Sequence, residues 1–94
     1  MLSEKALQVF FIKSCRQAGL LAYKMVCVGR RGFPDVLVID QRGASYYIEL
    51  KAPSGKGVIS AQQTKVINEL KEQKANVQII YSKQQAVDFI RSIG

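Results

Sequence analysis

Gly32-Phe33-Pro34-Asp35-Val36-Leu37-Val38-Ile39-Asp40, the turn Gln41-Arg42-Gly43, and the run Ala44-Ser45-Tyr46-Tyr47-Ile48-Glu49-Leu50-Lys51 form the stretch that decides the fold. Two apolar, β-prone runs flank a short turn containing glycine, which is the pattern of an antiparallel hairpin. If Gln41, Arg42 and Gly43 form the loop, Asp40 faces Ala44 and the pairing is symmetric about Arg42, so Asp35 is expected opposite Glu49. Opposed strand residues point to one face with Cβ atoms about 5 Å apart, and Lys51, two positions on, joins them there. Two carboxylates held that close repel unless a cation lies between them, so the cluster is read as a divalent-metal site.

The rest of the chain narrows what such a site can do. At 94 residues the length suits one stand-alone domain, 1–94. The chain holds 14 Lys and Arg against 7 Asp and Glu, a formal charge of +7 that suits a polyanionic partner such as nucleic acid. It has no histidine, which excludes imidazole acid–base catalysis and thiolate–imidazole zinc sites; Cys15 and Cys27 have no metal-ligand spacing. Chemistry is left to carboxylates, lysine and metal. No apolar run approaches the length of a membrane span and the N-terminus lacks signal-peptide order, so a soluble, cytoplasmic protein is expected.

The chain opens with a helix that Ser3 caps and Gly19 stops, with Leu7, Phe10, Phe11, Ser14 and Ala18 at helical spacing. Glu4 falls on this apolar stripe. It is either a first-turn acid favoured by the helix dipole or a third carboxylate aimed at the cluster. Residues 20–28 read as a first strand. Gly29-Arg30-Arg31-Gly32 follows, a loop whose guanidinium groups suit a phosphate clamp, with an ordinary solvated loop as the plain alternative.

Both faces of the hairpin are largely apolar, with Leu37, Ile39 and Tyr47 on the Asp35 side and Val36, Val38, Tyr46, Ile48 and Leu50 on the other. A sheet buried on both faces needs helices on both. After a loop at 52–57, Ser60 and Gln63 match a capping box heading a helix with Val66, Ile67 and Leu70 on its stripe. Gln63 falls on the same inward face. Residues 77–81 make a short strand, and Ser82 caps a last helix bearing Ala86, Val87, Phe89, Ile90 and Ile93. The expected order is helix, three-stranded meander, helix, strand, helix: an α/β fold with a central mixed sheet.

Four glutamates and nine lysines among 94 residues give about 0.4 Glu-x-Lys triplets by chance, so one alone is weak evidence. The chain has Glu49-Leu50-Lys51, Glu69-Leu70-Lys71 and Glu72-Gln73-Lys74. The last two lie in a helix, where residues two apart do not share a face. Only the first follows a Pro-Asp on an opposing strand and precedes a Ser60-headed helix.

Pro34-Asp35, Glu49-Leu50-Lys51 and the element order resemble the PD-(D/E)xK nuclease superfamily. Gly32-Phe33-Pro34-Asp35-Val36, Tyr47-Ile48-Glu49-Leu50-Lys51 and Ile59-Ser60-Ala61-Gln62-Gln63 are similar to its virus-type replication-repair nuclease (VRR-NUC) family, over nearly the whole chain from Glu4 onward. Ala61 departs from the pattern, since many relatives carry proline there. The resemblance implies an αβββαβα core, Asp35 and Glu49 as metal ligands for Mg²⁺ or Mn²⁺, Lys51 as the catalytic lysine, Glu4 as a helix-borne acidic site residue and Gln63 as an accessory polar one. The backbone carbonyl of Leu50 is a further ligand in this reading. Arg30, Arg31, Lys56 and Ser60 are the expected DNA contacts. The activity implied is metal-dependent cleavage of branched DNA such as Holliday junctions by a homodimer, in a bacterial cell or phage-infected host. The alternatives are a nuclease for flap or linear DNA, and a non-catalytic basic nucleic-acid-binding module whose carboxylates form a structural ion pair.

Overall fold

A computed structural model describes residues 2–27, 29–52 and 58–94. The first helix, α1 (Glu4–Gln17), starts where Ser3 Oγ accepts the Ala6 N–H at 3.0 Å. It ends in a Schellman motif: Gly19 takes φ +83°, its N–H bonds to the Arg16 carbonyl, and the Leu20 N–H reaches back to the Cys15 carbonyl. Leu20 is thereby buried and the chain turns directly into β1 (Leu21–Lys24). This strand is shorter than the apolar run at 20–28, because Val26 and Cys27 lie exposed beyond the last ladder pair, Lys24 with Val36.

Strands β2 (Val36–Ile39) and β3 (Ser45–Leu50) form the expected hairpin. Val36 pairs with Ile48, Leu37 with Tyr47, Val38 with Tyr46 and Ile39 with Ser45, a register symmetric about Arg42. Its turn is held by buried Asp40, whose carboxylate accepts the Arg42 and Ala44 N–H groups and the Tyr46 hydroxyl at 2.7 Å. Helix α2 (Ala61–Glu72) carries the chain to β4 (Asn76–Ile80), which runs parallel to β3, and α3 (Lys83–Ile93) closes the chain. The sheet order is β1-β2-β3-β4.

The strands' period of two divides the sheet into unlike faces. Val36, Val38, Ile48, Leu50 and Ile80 join Leu7, Phe11 and Cys15 of α1 and Ala86 and Ile90 of α3 in one buried core. Phe89 ties it together, packing on Phe11 at 6.0 Å and edge-on against Tyr46 at 5.6 Å. The opposite face carries Leu37, Tyr47 and Glu49. There α2 lies over β4, burying Val66 and Ile67 apart from the main core. Among the described residues no helix covers the β1 end of that face, where Leu21 is 52% and Tyr23 48% exposed. The expectation of helices on both faces is met, with the second face only partly covered. Among the described residues no helix is long and apolar enough to cross a membrane.

Candidate active site

Asp35 stands at the entrance to β2, fixed at several points of its backbone and side chain. Its N–H donates to the Ile48 carbonyl at 2.9 Å, its carbonyl accepts the Met25 N–H at 2.7 Å, and its Oδ2 accepts the Leu50 N–H at 3.0 Å. The expected ladder pair of Asp35 with Glu49 is therefore not formed as drawn. Pro34 has no N–H to extend the ladder, β2 starts only at Val36, and Asp35 bonds one residue short of Glu49. The two carboxyl groups still lie near each other, close enough for the charge of Asp35 to act on Glu49.

Glu49 is 1% exposed, on the face that α2 covers. Its Oε2 accepts the Gln63 Nε2–H at 3.0 Å and lies 3.8 Å from Lys51 Nζ. Its Oε1 is buried and has no hydrogen-bond partner. Burial pushes the Glu49 carboxyl up to about 8, and the neighbouring Asp35 pushes the same way. Lys51 opposes them, while Glu4 adds a smaller upward push. A buried carboxylate with one bare oxygen is costly, and a second carboxyl group beside it raises that cost.

Gln63 reaches Glu49 because α2 begins with a complete capping box. Ser60 Oγ accepts the Gln63 N–H at 3.1 Å and Gln63 Oε1 accepts the Ser60 N–H at 3.0 Å. With its oxygen occupied by the cap, the side-chain amide presents its NH₂ to Glu49. One side chain thus completes the cap and also bonds Glu49.

Glu4 is exposed, outside the core that its helical position suggested, yet near enough for its charge to act on Glu49. Arg30 forms an ion pair with Glu69 of α2. Arg31 is exposed and has no ion-pair partner among the described residues. Ser60 is exposed at the head of α2, whereas Lys56 lies outside the described residues. Three features were not read from the sequence: the Leu50 amide as a partner of Asp35, Glu69 as the partner of Arg30, and the approach of Gly32 to α2. The last had a signal, a glycine immediately before the Phe-Pro-Asp entry.

Among the described residues no group of three His, Cys, Asp or Glu side chains forms a ready-made metal-ligand set. Asp35 and Glu49 are a pair, and they supply hard carboxylate oxygens, one of them buried and unsatisfied. That donor set fits Mg²⁺ or Mn²⁺, which complete their shells with water and substrate phosphate.

The sequence model of the VRR-NUC domain matches residues 2–84. A solved structure described as a VRR-NUC domain superposes with a TM-score of 0.84 at 27% identity, covering 94% of each chain. A protein of Acyrthosiphon pisum secondary endosymbiont phage 1, named "Putative nuclease p44", is 38% identical over 56 residues. That match spans 60% of this chain and 60% of the phage protein.

Proposed function

The chain belongs to the VRR-NUC domain family, and on that premise we propose that it is a Mg²⁺- or Mn²⁺-dependent endonuclease that hydrolyses phosphodiester bonds in branched DNA. The observation that carries this reading is the bare, buried Glu49 Oε1 beside Asp35, with the Lys51 ammonium 3.8 Å from the other oxygen of the same carboxylate. A purely structural ion pair has no use for an unsatisfied buried oxygen, which costs stability.

Asp35 and Glu49, with the Leu50 carbonyl as a further oxygen, are the groups that would hold the cation. When bound, a divalent cation polarises the scissile phosphate and lowers the pKa of a coordinated water. The protein's own side chains do the positioning. Gln63 and Lys51 hold Glu49 through Oε2 and leave Oε1 open. Lys51, whose side chain is 12% exposed, donates to the attacking water or to the phosphate oxygen on which charge develops. Glu4 is an outer acidic group of the same site, and Arg31 holds the DNA backbone without reading bases. The net charge of +7 supports a polyanionic substrate.

Preference for a four-way junction goes with a homodimer, since symmetric cutting needs two active sites related by a two-fold axis. The apolar surface left at Leu21 and Tyr23 supports association of two copies. The decisive experiment compares four-way junction, flap, splayed and linear duplex substrates with Mg²⁺ and with Mn²⁺, using Asp35→Ala as the control. Junction cleavage lost in Asp35→Ala is the expected result. Equal cutting of linear duplex removes the branch selectivity, and metal-independent binding without nicking removes the enzyme.

A further inference from the structure

We propose that Gly32 is a positioning residue for the carboxylate pair: its bare backbone seats the first turn of α2 so that Gln63 holds Glu49 Oε2 and leaves Oε1 open. The inference rests on the proposed metal centre for its functional meaning, and on the geometry alone for the contact itself.

Gly32 has φ +85°, a conformation that L side chains rarely adopt. Its Cα also faces the backbone of α2. A Cβ placed there would lie 2.8 Å from the Gln62 carbonyl oxygen, 2.9 Å from its carbon and 3.0 Å from the Gln63 nitrogen. These are backbone atoms of a capped helical turn, so no side chain can swing away to make room. Even one methyl group at position 32 therefore has to displace the loop or the head of α2. Both carry site residues: Asp35 is the third residue after Gly32, and Gln63 supplies the bond to Glu49.

The same loop is tied to α2 a second time. Arg30 pairs with Glu69, which lies six residues beyond Gln63 along the helix. The two ties fix the loop against both the head and the body of α2. Elsewhere α2 rests on β4, on the far side of β3 from β2. The loop thus joins the strand that begins beside Asp35 to the helix that holds Glu49. Gly32 touches neither the cation nor the phosphate; it acts through Gln63.

The test uses the full chain, labelled with ¹⁵N and free of metal, and follows the Gln63 side-chain amide, assigned with Gln63→Met. The amide hydrogens are expected to exchange slowly in the parent protein and quickly in Gly32→Ala. Mn²⁺ titration by calorimetry, without DNA, is expected to show affinity weakened about tenfold in Gly32→Ala, the usual scale for losing a group that orients a metal ligand. Protected Gln63 hydrogens together with unchanged Mn²⁺ affinity in a folded Gly32→Ala protein overturn the proposal. Should Gly32→Ala fail to fold, Arg30→Gln tests the second tie, since losing an exposed ion pair leaves the fold intact. It is expected to speed Gln63 exchange and weaken Mn²⁺ binding about threefold, and no change in either measurement overturns the proposal. If the parent protein binds no Mn²⁺, the metal centre fails as a reading, while Gln63 exchange still decides the role of Gly32.

Discussion

Gln63 Nε2 lies 3.0 Å from Glu49 Oε2, while the other end of the same amide accepts the N–H of Ser60. One side chain thus closes a helix cap and holds a buried carboxylate. Gln63→Ala removes both bonds. It is expected to cost about 1 kcal/mol in thermal or urea unfolding, as for a lost helix cap, and to raise the Mg²⁺ concentration needed for half-maximal cleavage by tenfold or more. A loss of stability with an unchanged Mg²⁺ requirement would show that Gln63 only caps the helix.

Glu49 gives the metal-free protein an unusual pH dependence. Its folded pKa of about 8 stands above the ordinary 4.5, because of burial first and Asp35 second. The folded state therefore binds the Glu49 proton more tightly than the unfolded state. The stability linked to that proton is fully present below the ordinary value and is lost as pH rises through about 8. Melting temperature without metal is expected to fall over this range, and Mg²⁺ to raise it increasingly at the alkaline end. A Glu49→Gln protein with the same pH slope would refute the assignment.

Asp40 behaves in the opposite sense. The Tyr46 hydroxyl, with help from the Ala44 and Arg42 amides and the Arg42 charge, holds its carboxyl below 3.8 despite the opposing effect of burial. Stability from Asp40 is present above that value and lost as pH falls through the lowered one. Asp40→Asn, which resembles the protonated form, is expected to melt below the parent at neutral pH. The gap should narrow in acid. A constant gap would mean that the amide perturbs packing and not charge. Since this group anchors the turn that fixes the register from Val36 to Ile48, Asp40→Ala is also expected to lower cleavage.

The hairpin was legible because its information is local: a turn with Gly43, two apolar β-prone runs and a register that follows from the turn placement. Ser3, Gly19, Ser60 and Ser82 marked helix ends for the same reason, as each acts on backbone groups within a few residues. What stayed hidden was long-range. Arg30 and Glu69 are 39 positions apart, and nothing in either neighbourhood announces the pair. Gly32 was visible as a glycine, but the helix it touches begins 29 residues later, at Ala61. Asp35 shows the limit of register reasoning: the ladder is right from Val36 inward, and proline shifts its last member.

Lys74 occupies a position that helix ends usually give to glycine. It has φ +63°, its N–H bonds to the Lys71 carbonyl, and Ala75 bonds back to Leu70, the Schellman ending of α2. A side chain in this conformation costs roughly 1–2 kcal/mol, of which glycine's larger unfolded entropy cancels part. Lys74→Gly is expected to stabilise the protein by roughly 0.5–1 kcal/mol, seen as a melting temperature a few degrees higher. An unchanged or lowered value would show that the lysine is not strained.

Arg31 and Arg30 are neighbours with unlike surroundings, and DNA binding should separate them. Arg31 is exposed with no ion-pair partner among the described residues, whereas Arg30 is engaged by Glu69. Each phosphate contact made by a basic side chain releases about one counterion, so losing one lowers the slope of log affinity against log salt by about 1. With a metal-free Asp35→Ala background to prevent cutting, Arg31→Ala is expected to weaken binding to every DNA structure and reduce the slope by about 1. Arg30→Ala should change the slope by less, because Glu69 already neutralises its charge. Equal slope changes in the two variants would mean that Arg30 leaves Glu69 for phosphate when DNA binds, and that the loop is released from α2 in the complex.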